Sequence, residues 1–271
     1  MSYSNSELKE IAKRVRRGII EAVYSGKSGH PGGSLSCTDI LVNLFFNEMK
    51  INPDEPRMED RDRCILSKGH ASPAIYSTLA SRGFFPVEDL KTFRKTDSYL
   101  QGHPDMNKIP GIDMTSGSLG QGLSVANGMA IAGKLDDKDY YVYVIMGDGE
   151  IAEGQIWEAA LTSAHYKLNN VIAFVDFNGL QIDGPVKEVM NVTPIKEKFE
   201  AFGWNALEID GHDFNAIHKA IVKAKKSKDK PTVIVAHTVK GKGISFMENQ
   251  VVWHGKAPSD EEYKIAIEEL K

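Results

Sequence analysis

Three apolar runs constrain this chain more than anything else in it: YYVYVIM from Tyr140, VIAFVDF from Val171 and TVIVAHT from Thr232. Each has the length of a strand, and none alternates with polar residues as a half-exposed strand would. Helical spacing lies between them. Ile156, Trp157, Ala160, Leu161 and Ala164 follow the first run, and the stretch from Phe214 to Lys226 precedes the third. Strands apolar on both faces, with helices between, predict an α/β fold built on a parallel sheet with helices on both faces.

The rest of the chain fits around that frame. Ile11, Ala12, Val15, Ile19 and Val23 recur at helical spacing, and the cluster SGKSGHPGGSLS then reads as a loop. A helix from Thr38 to Glu48 follows, then a short buried strand in RCILS. SKGHASPAIYSTLASRG reads as a turn opening into a helix that Gly83 stops. GIDMTSGSLGQG is a flexible connection before a helix from Leu123 to Lys134, and NGLQIDG a polar loop. Ser259 and Glu262 form a capping box ahead of the last helix. Residues 1–271 show no repeat or linker, so one domain is expected.

Composition excludes several function classes. The 33 Lys and Arg against 37 Asp and Glu give a net charge of -4, with no basic stripe suited to nucleic acid. The run from Lys223 to Lys230 reads as a solvated helix end. The amino terminus MSYSNSELKEIAKRVRR is polar, and no stretch approaches the ~18 apolar residues of a membrane span. A cytoplasmic location is expected. Cys37 and Cys64 have no paired spacing and read as buried thiols.

The chemistry concentrates at Gly147-Asp148-Gly149, which ends one strand, and at Asn178, which ends the next. In a parallel unit both carboxyl ends lie at one edge of the sheet, so these distant residues converge. The two glycines allow close approach of a ligand, and a helix starting near Glu150 aims free N–H groups at it. A diphosphate suits that place. Asp148, the Asn178 amide oxygen and a main-chain carbonyl are hard oxygen donors suited to Mg²⁺ or Ca²⁺. A hairpin reading of Asp-Gly fails because a helix follows the turn.

GDGEIAEGQIWEAALTSAHYKLNNVIAFVDFNG resembles the thiamine diphosphate motif, which opens with GDG and closes with Asn after an apolar strand. SGHPGGSLS, SKGHASPAIY, QGHPD, SGSLGQG, DGHD and WHGKAP stand in the order found in the amino-terminal domain of transketolases, so the resemblance runs from about Ile11 to Pro258. It implies the thiamine diphosphate-binding fold, with Asp148, Asn178 and the Leu180 carbonyl as metal ligands. Gly149 and His70 would contact the diphosphate, and main-chain groups of Gly117, Ser118 and Leu119 would line the cofactor. His30 and His254 match the histidines that handle substrate hydroxyl protons, and His103 the one near the donor's terminal hydroxyl. Imidazole suits that task near neutral pH. Glu153 and Glu158 correspond to acidic residues that link cofactor sites at the transketolase subunit contact; a solvated helix face is the other reading of both. His165, His218 and His237 read as structural or surface residues, and His212 stays undecided.

Full-length transketolases continue into a domain that binds the aminopyrimidine and carries its glutamate, and into a third domain; both are absent from these 271 residues. Ser118 also stands where many members carry proline. The resemblance therefore implies the amino-terminal subunit of a split transketolase, expected to transfer a two-carbon ketol unit from a ketose phosphate to an aldose phosphate. It would act only with a separate carboxy-terminal subunit, in an α2β2 assembly with a large apolar interface. GDG and Asn also occur in 2-oxoacid dehydrogenase α chains and deoxyxylulose phosphate synthases, which lack the SGHPG, KGH, GHP and WHG set. A non-catalytic cofactor-binding relative is the remaining alternative.

Overall fold

The computed structural model describes residues 3–271; Met1 and Ser2 of the polar amino terminus lie outside the described residues. The helices are α1 Asn5–Ser25, α2 Pro31–Ser36, α3 Thr38–Asn43, α4 Ser72–Arg82, α5 Gly122–Leu135, α6 Gly154–His165, α7 Val186–Val189, α8 Ile195–Ala201, α9 Phe214–Ala224 and α10 Asp260–Glu269. The strands are β1 Arg63–Leu66, β2 Val142–Gly147, β3 Val171–Phe177, β4 Leu180–Gln181, β5 Gly184–Pro185, β6 Asn205–Asp210 and β7 Thr232–His237.

Five strands form one sheet in the order β1-β2-β3-β7-β6, all parallel. The three apolar runs are its centre, and their alternation is hidden because both faces are dry. Val142, Val144, Met146, Val171, Ala173, Val175, Val233 and Val235 point to one layer, packed under α5, α6 and α8. Tyr143, Ile145, Ile172, Phe174, Ile234 and Ala236 point to the other, under α1, α3, α4 and α9. Each fully buried large side chain contributes about 1.5–3 kcal/mol relative to exposure, so both layers hold the sheet.

Several expectations need correction. PGGSLS is not loop but α2, fully buried. Packing overrides its poor helix propensity: a Cβ on Gly32 would sit 2.8 Å from the Trp253 carbonyl oxygen, so only glycine lets these segments touch. Glu150 opens a single 3₁₀ turn, Glu150–Ala152, and the α-helix begins at Gly154 after the extended Glu153. NGLQIDG contains the small antiparallel pair β4–β5. The edge strand β6 and helix α8 were not foreseen; in β6, partly exposed and carrying Glu208 and Asp210, edge position dilutes the apolar signal. Helix α9 stops at Ala224, so most of the basic run lies beyond it. Cys37 and Cys64 are buried and unpaired, and the Ser259–Glu262 capping box is formed. Among the described residues no helix is long and apolar enough to cross a membrane.

Candidate active site

The carboxyl ends of β1, β2, β3 and β7 meet at one edge of the sheet, where open α/β folds bind ligands. A cleft of about 480 Å³ opens there. Its floor is the turn after β2. Asp148 accepts from the Gly149 N–H at 2.8 Å through Oδ1 and from the Gly179 N–H at 2.6 Å through Oδ2, so the β2 and β3 ends are joined directly. Gly179 sits at φ 78, a left-handed conformation that costs glycine little and lets the chain turn back over Asp148. Asn178 and Leu180 line the same cleft, with the Leu180 N–H donating to Asn178 Oδ1 at 3.1 Å. Burial and the Asp176 charge raise the Asp148 carboxyl to about 6.

Three imidazoles form the opposite wall. His30 immediately precedes α2, His70 lies in the turn before α4 and His254 ends the turn Val251–His254. Their ring centroids are 5.1 Å apart for His30 and His70, and 5.4 Å for each of the other two pairs. Burial lowers all three: His30 to about 4, His70 to about 2 and His254 to about 4, with neighbouring cations adding to the effect. They are therefore neutral at neutral pH, each with one N–H and one acceptor nitrogen. The Nδ1 of His30 is buried without a hydrogen-bond partner among the described residues.

The remaining predicted residues are spread around the rim. His103, Gly117, Leu119, Gly149 and Glu153 line the cleft. Gly117 packs on the His103 ring, where a Cβ would lie 3.2 Å from it. Ser118 is exposed and does not line the cleft, and Glu158 is exposed on α6. His212 is structural: its Nε2 accepts from the Val239 N–H at 2.9 Å, which makes Nδ1 the donor to Asp39, 2.7 Å away. His218 and His237 pair with Glu48 and Glu208 away from the cleft.

Four charged groups were missed. Lys240 is 2% exposed, lines the cleft, donates to the Leu180 carbonyl at 3.3 Å and lies 3.1 Å from His254 Nδ1. An ammonium can only donate, so Nδ1 is the acceptor and the His254 proton stays on Nε2. Burial lowers Lys240 to about 8. Lys68 pairs with Asp176 beneath the histidines at 2.6 Å and also holds the Gly33 carbonyl. Glu150 is buried and accepts from Ser67, from the Gly120 N–H at 3.0 Å and from the Gly147 N–H at 2.9 Å, which ties the 117–121 loop to the β2 turn. An acid inside the apolar run VIAFVDF and the lysine of KGH itself were the available signals.

A sequence profile described as "Transketolase, thiamine diphosphate binding domain" matches residues 8–270. The chain belongs to the transketolase family. It is 44% identical over 271 residues to the 6-deoxy-6-sulfo-D-fructose transketolase subunit SqwG of Clostridium sp. (strain MSTE9), covering 100% of this chain and 98% of that one. It is 42% identical over 259 residues to one subunit of the apulose-4-phosphate transketolase from Phocaeicola vulgatus, covering 96% and 92%. The crystal structure of transketolase from Campylobacter jejuni superposes with a TM-score of 0.93 at 36% identity, covering 99% of this chain but 43% of that chain. Against human transketolase, 42% identity extends over 92% of this chain and 40% of the enzyme. The chain thus spans less than half of the full-length transketolases it matches and nearly the whole of the separately encoded subunits. Within the family it corresponds to the amino-terminal subunit of a split transketolase, a transferase that works with a second chain.

Proposed function

We propose that this chain anchors thiamine diphosphate in the cleft through a divalent cation held by Asp148, Asn178 and the Leu180 carbonyl. With a separate carboxy-terminal subunit it transfers a two-carbon ketol unit from a ketose phosphate to an aldose phosphate. The observation that carries this is the meeting of hard oxygen donors and three neutral imidazoles across one cleft. The donor set suits Mg²⁺ or Ca²⁺. A buried carboxyl that burial holds protonated up to about 6 is one that a divalent cation favours as the anion, and the Lys240 ammonium already rests on the Leu180 carbonyl.

When bound, thiamine diphosphate supplies the electron sink for breaking and making the carbon–carbon bond. The chain's own groups bind and move protons. Gly149, His70 and Lys240 would hold the diphosphate, and Gly117 and Leu119, which line the cleft, would border the cofactor. His30 and His254 exchange protons with substrate hydroxyls, and His103 meets the donor's terminal hydroxyl. Glu153 faces the second subunit, which brings the aminopyrimidine surroundings and its glutamate in an α2β2 assembly. The two related subunits named above act, by name, on a sulfonated and a phosphorylated ketose, so an anionic ketose is the substrate class. A cytoplasmic location and a single domain over residues 1–271 belong to the same reading, the location supported by two unpaired thiols.

Titration calorimetry with thiamine diphosphate and Mg²⁺, with and without the second subunit, tests the assignment. Metal-dependent binding that is abolished in Asp148→Ala, with ketol transfer only by the two-chain complex, is expected. No binding in either arrangement, or full transfer by this chain alone, would overturn it.

A further inference from the structure

Arg94 is the cation near the histidines that the function leaves unused. Arg16 and Arg61 each pair with a buried aspartate, whereas Arg94 has no carboxylate partner among the described residues. Its backbone is left-handed at φ 58, a conformation that persists in a non-glycine residue only where the surroundings enforce it. The enforcement is visible. The Arg94 N–H donates to the Leu100 carbonyl at 2.9 Å, and Phe93 before it packs on the turn that leads to His30. A Cβ on Gly26 would lie 2.7 Å from the Phe93 oxygen, and one on Gly29 would lie 3.1 Å from its ring.

The guanidinium then reaches two ways. Its Nη1 donates to Ser28 Oγ at 2.6 Å, two residues before His30. On the other side a Cβ on Gly102 would lie 2.8 Å from Nη2, 2.9 Å from Nε and 3.0 Å from Cζ. Those near-equal distances put the residue before His103 over the guanidinium face. The far side of that turn is pinned by Ser72, which donates to the Gly102 carbonyl at 2.9 Å, and by Tyr76, which donates to the Gln101 carbonyl at 2.8 Å. We infer that Arg94 is a positioning residue: it clamps the turn presenting His30 to the turn presenting His103, fixing the two imidazoles against one another across the cleft mouth.

Its charge acts on the same two rings. Burial is the main cause that lowers both histidines, and Arg94 adds to it in each. His30 also faces His103, Lys240, His70 and His254, while Arg94 is the charged group that acts on His103. The two roles separate by substitution. Arg94→Gln removes the charge, and Arg94→Lys keeps the charge but cannot both bond Ser28 and stack on Gly102.

The test is a pH titration of the eight histidines by NMR in selectively labelled chain, beside steady-state kinetics of the complex with its second subunit. In Arg94→Gln the midpoints of His30 and His103 rise while those of His165, His218 and His237 stay. In Arg94→Lys the midpoints hold, but the His30 and His103 resonances shift. In both, kcat falls roughly tenfold or more with the Kd for thiamine diphosphate nearly unchanged, as misplaced proton-transfer groups require. Unmoved His30 and His103 signals in both variants, or shifts spread over all eight histidines, overturn the inference. It rests on the proposed proton-handling role only for its kinetic part. The spectra judge Arg94, and the activity of His30→Ala judges that role.

Discussion

At the scale of single residues, the Lys68–Asp176 pair under the histidines decides most. The two side chains are 3% and 0% exposed, with Nζ 2.6 Å from Oδ2. Burial opposes both charges, yet their attraction outweighs it: Lys68 is held above the ordinary lysine value and Asp176 below that of an aspartate. Ser36 and Thr238 each donate to Asp176 at 2.5 Å, so α2, β3 and the residue just past the end of β7 are drawn to one carboxylate. Asp176→Ala leaves a buried ammonium without its counter-charge, and urea unfolding is expected to show a loss of about 3–5 kcal/mol. A loss within ~1 kcal/mol would mean that water reaches Lys68 in the variant. Asp148 and Asn178 were legible because strand ends follow from local pattern. Lys68 and Asp176 were not, since 108 residues separate them and neither carries its partner in its own neighbourhood.

Among the elements, α5 shows how tightly the site is built. Gly122 opens it against the end of β1: a Cβ there would lie 2.3 Å from Ser67 Oγ and 2.9 Å from the Ser67 Cα. Backbone on that side leaves little room to yield, so Gly122→Ala is expected to cost about 1–3 kcal/mol by overpacking. Thermal unfolding measures it; an unchanged Tm would show that β1 and α5 part freely. Because Ser67 also donates to Glu150, the same variant loosens the link between the 117–121 loop and the β2 turn. The strands β2, β3 and β7 were readable because a sheet dry on both faces writes continuous apolar runs. By contrast β6 is partly exposed at the sheet edge, and α2 is helical through contacts with Trp253 and Asp176 that composition cannot express.

For the whole molecule, the cleft is walled by strand ends on one side and histidine turns on the other, and the chain spans about 40% of the full-length vertebrate transketolases it matches. If a second chain completes the cofactor's surroundings, binding of the cofactor and association of the two chains are one linked equilibrium, and the coupling must be reciprocal. A partner that raises the affinity for thiamine diphosphate by about tenfold is itself bound about tenfold more tightly by the loaded chain, equivalent to ~1.4 kcal/mol. Sedimentation of the two subunits should therefore show a dissociation constant that falls by about that factor when thiamine diphosphate and Mg²⁺ are present. Asp148→Ala, which leaves the outer surface untouched, should associate equally with and without the cofactor. Association indifferent to cofactor in the unaltered chain would place every energetically important contact to thiamine diphosphate within this subunit, and the shared-site reading would fall while the family assignment stood.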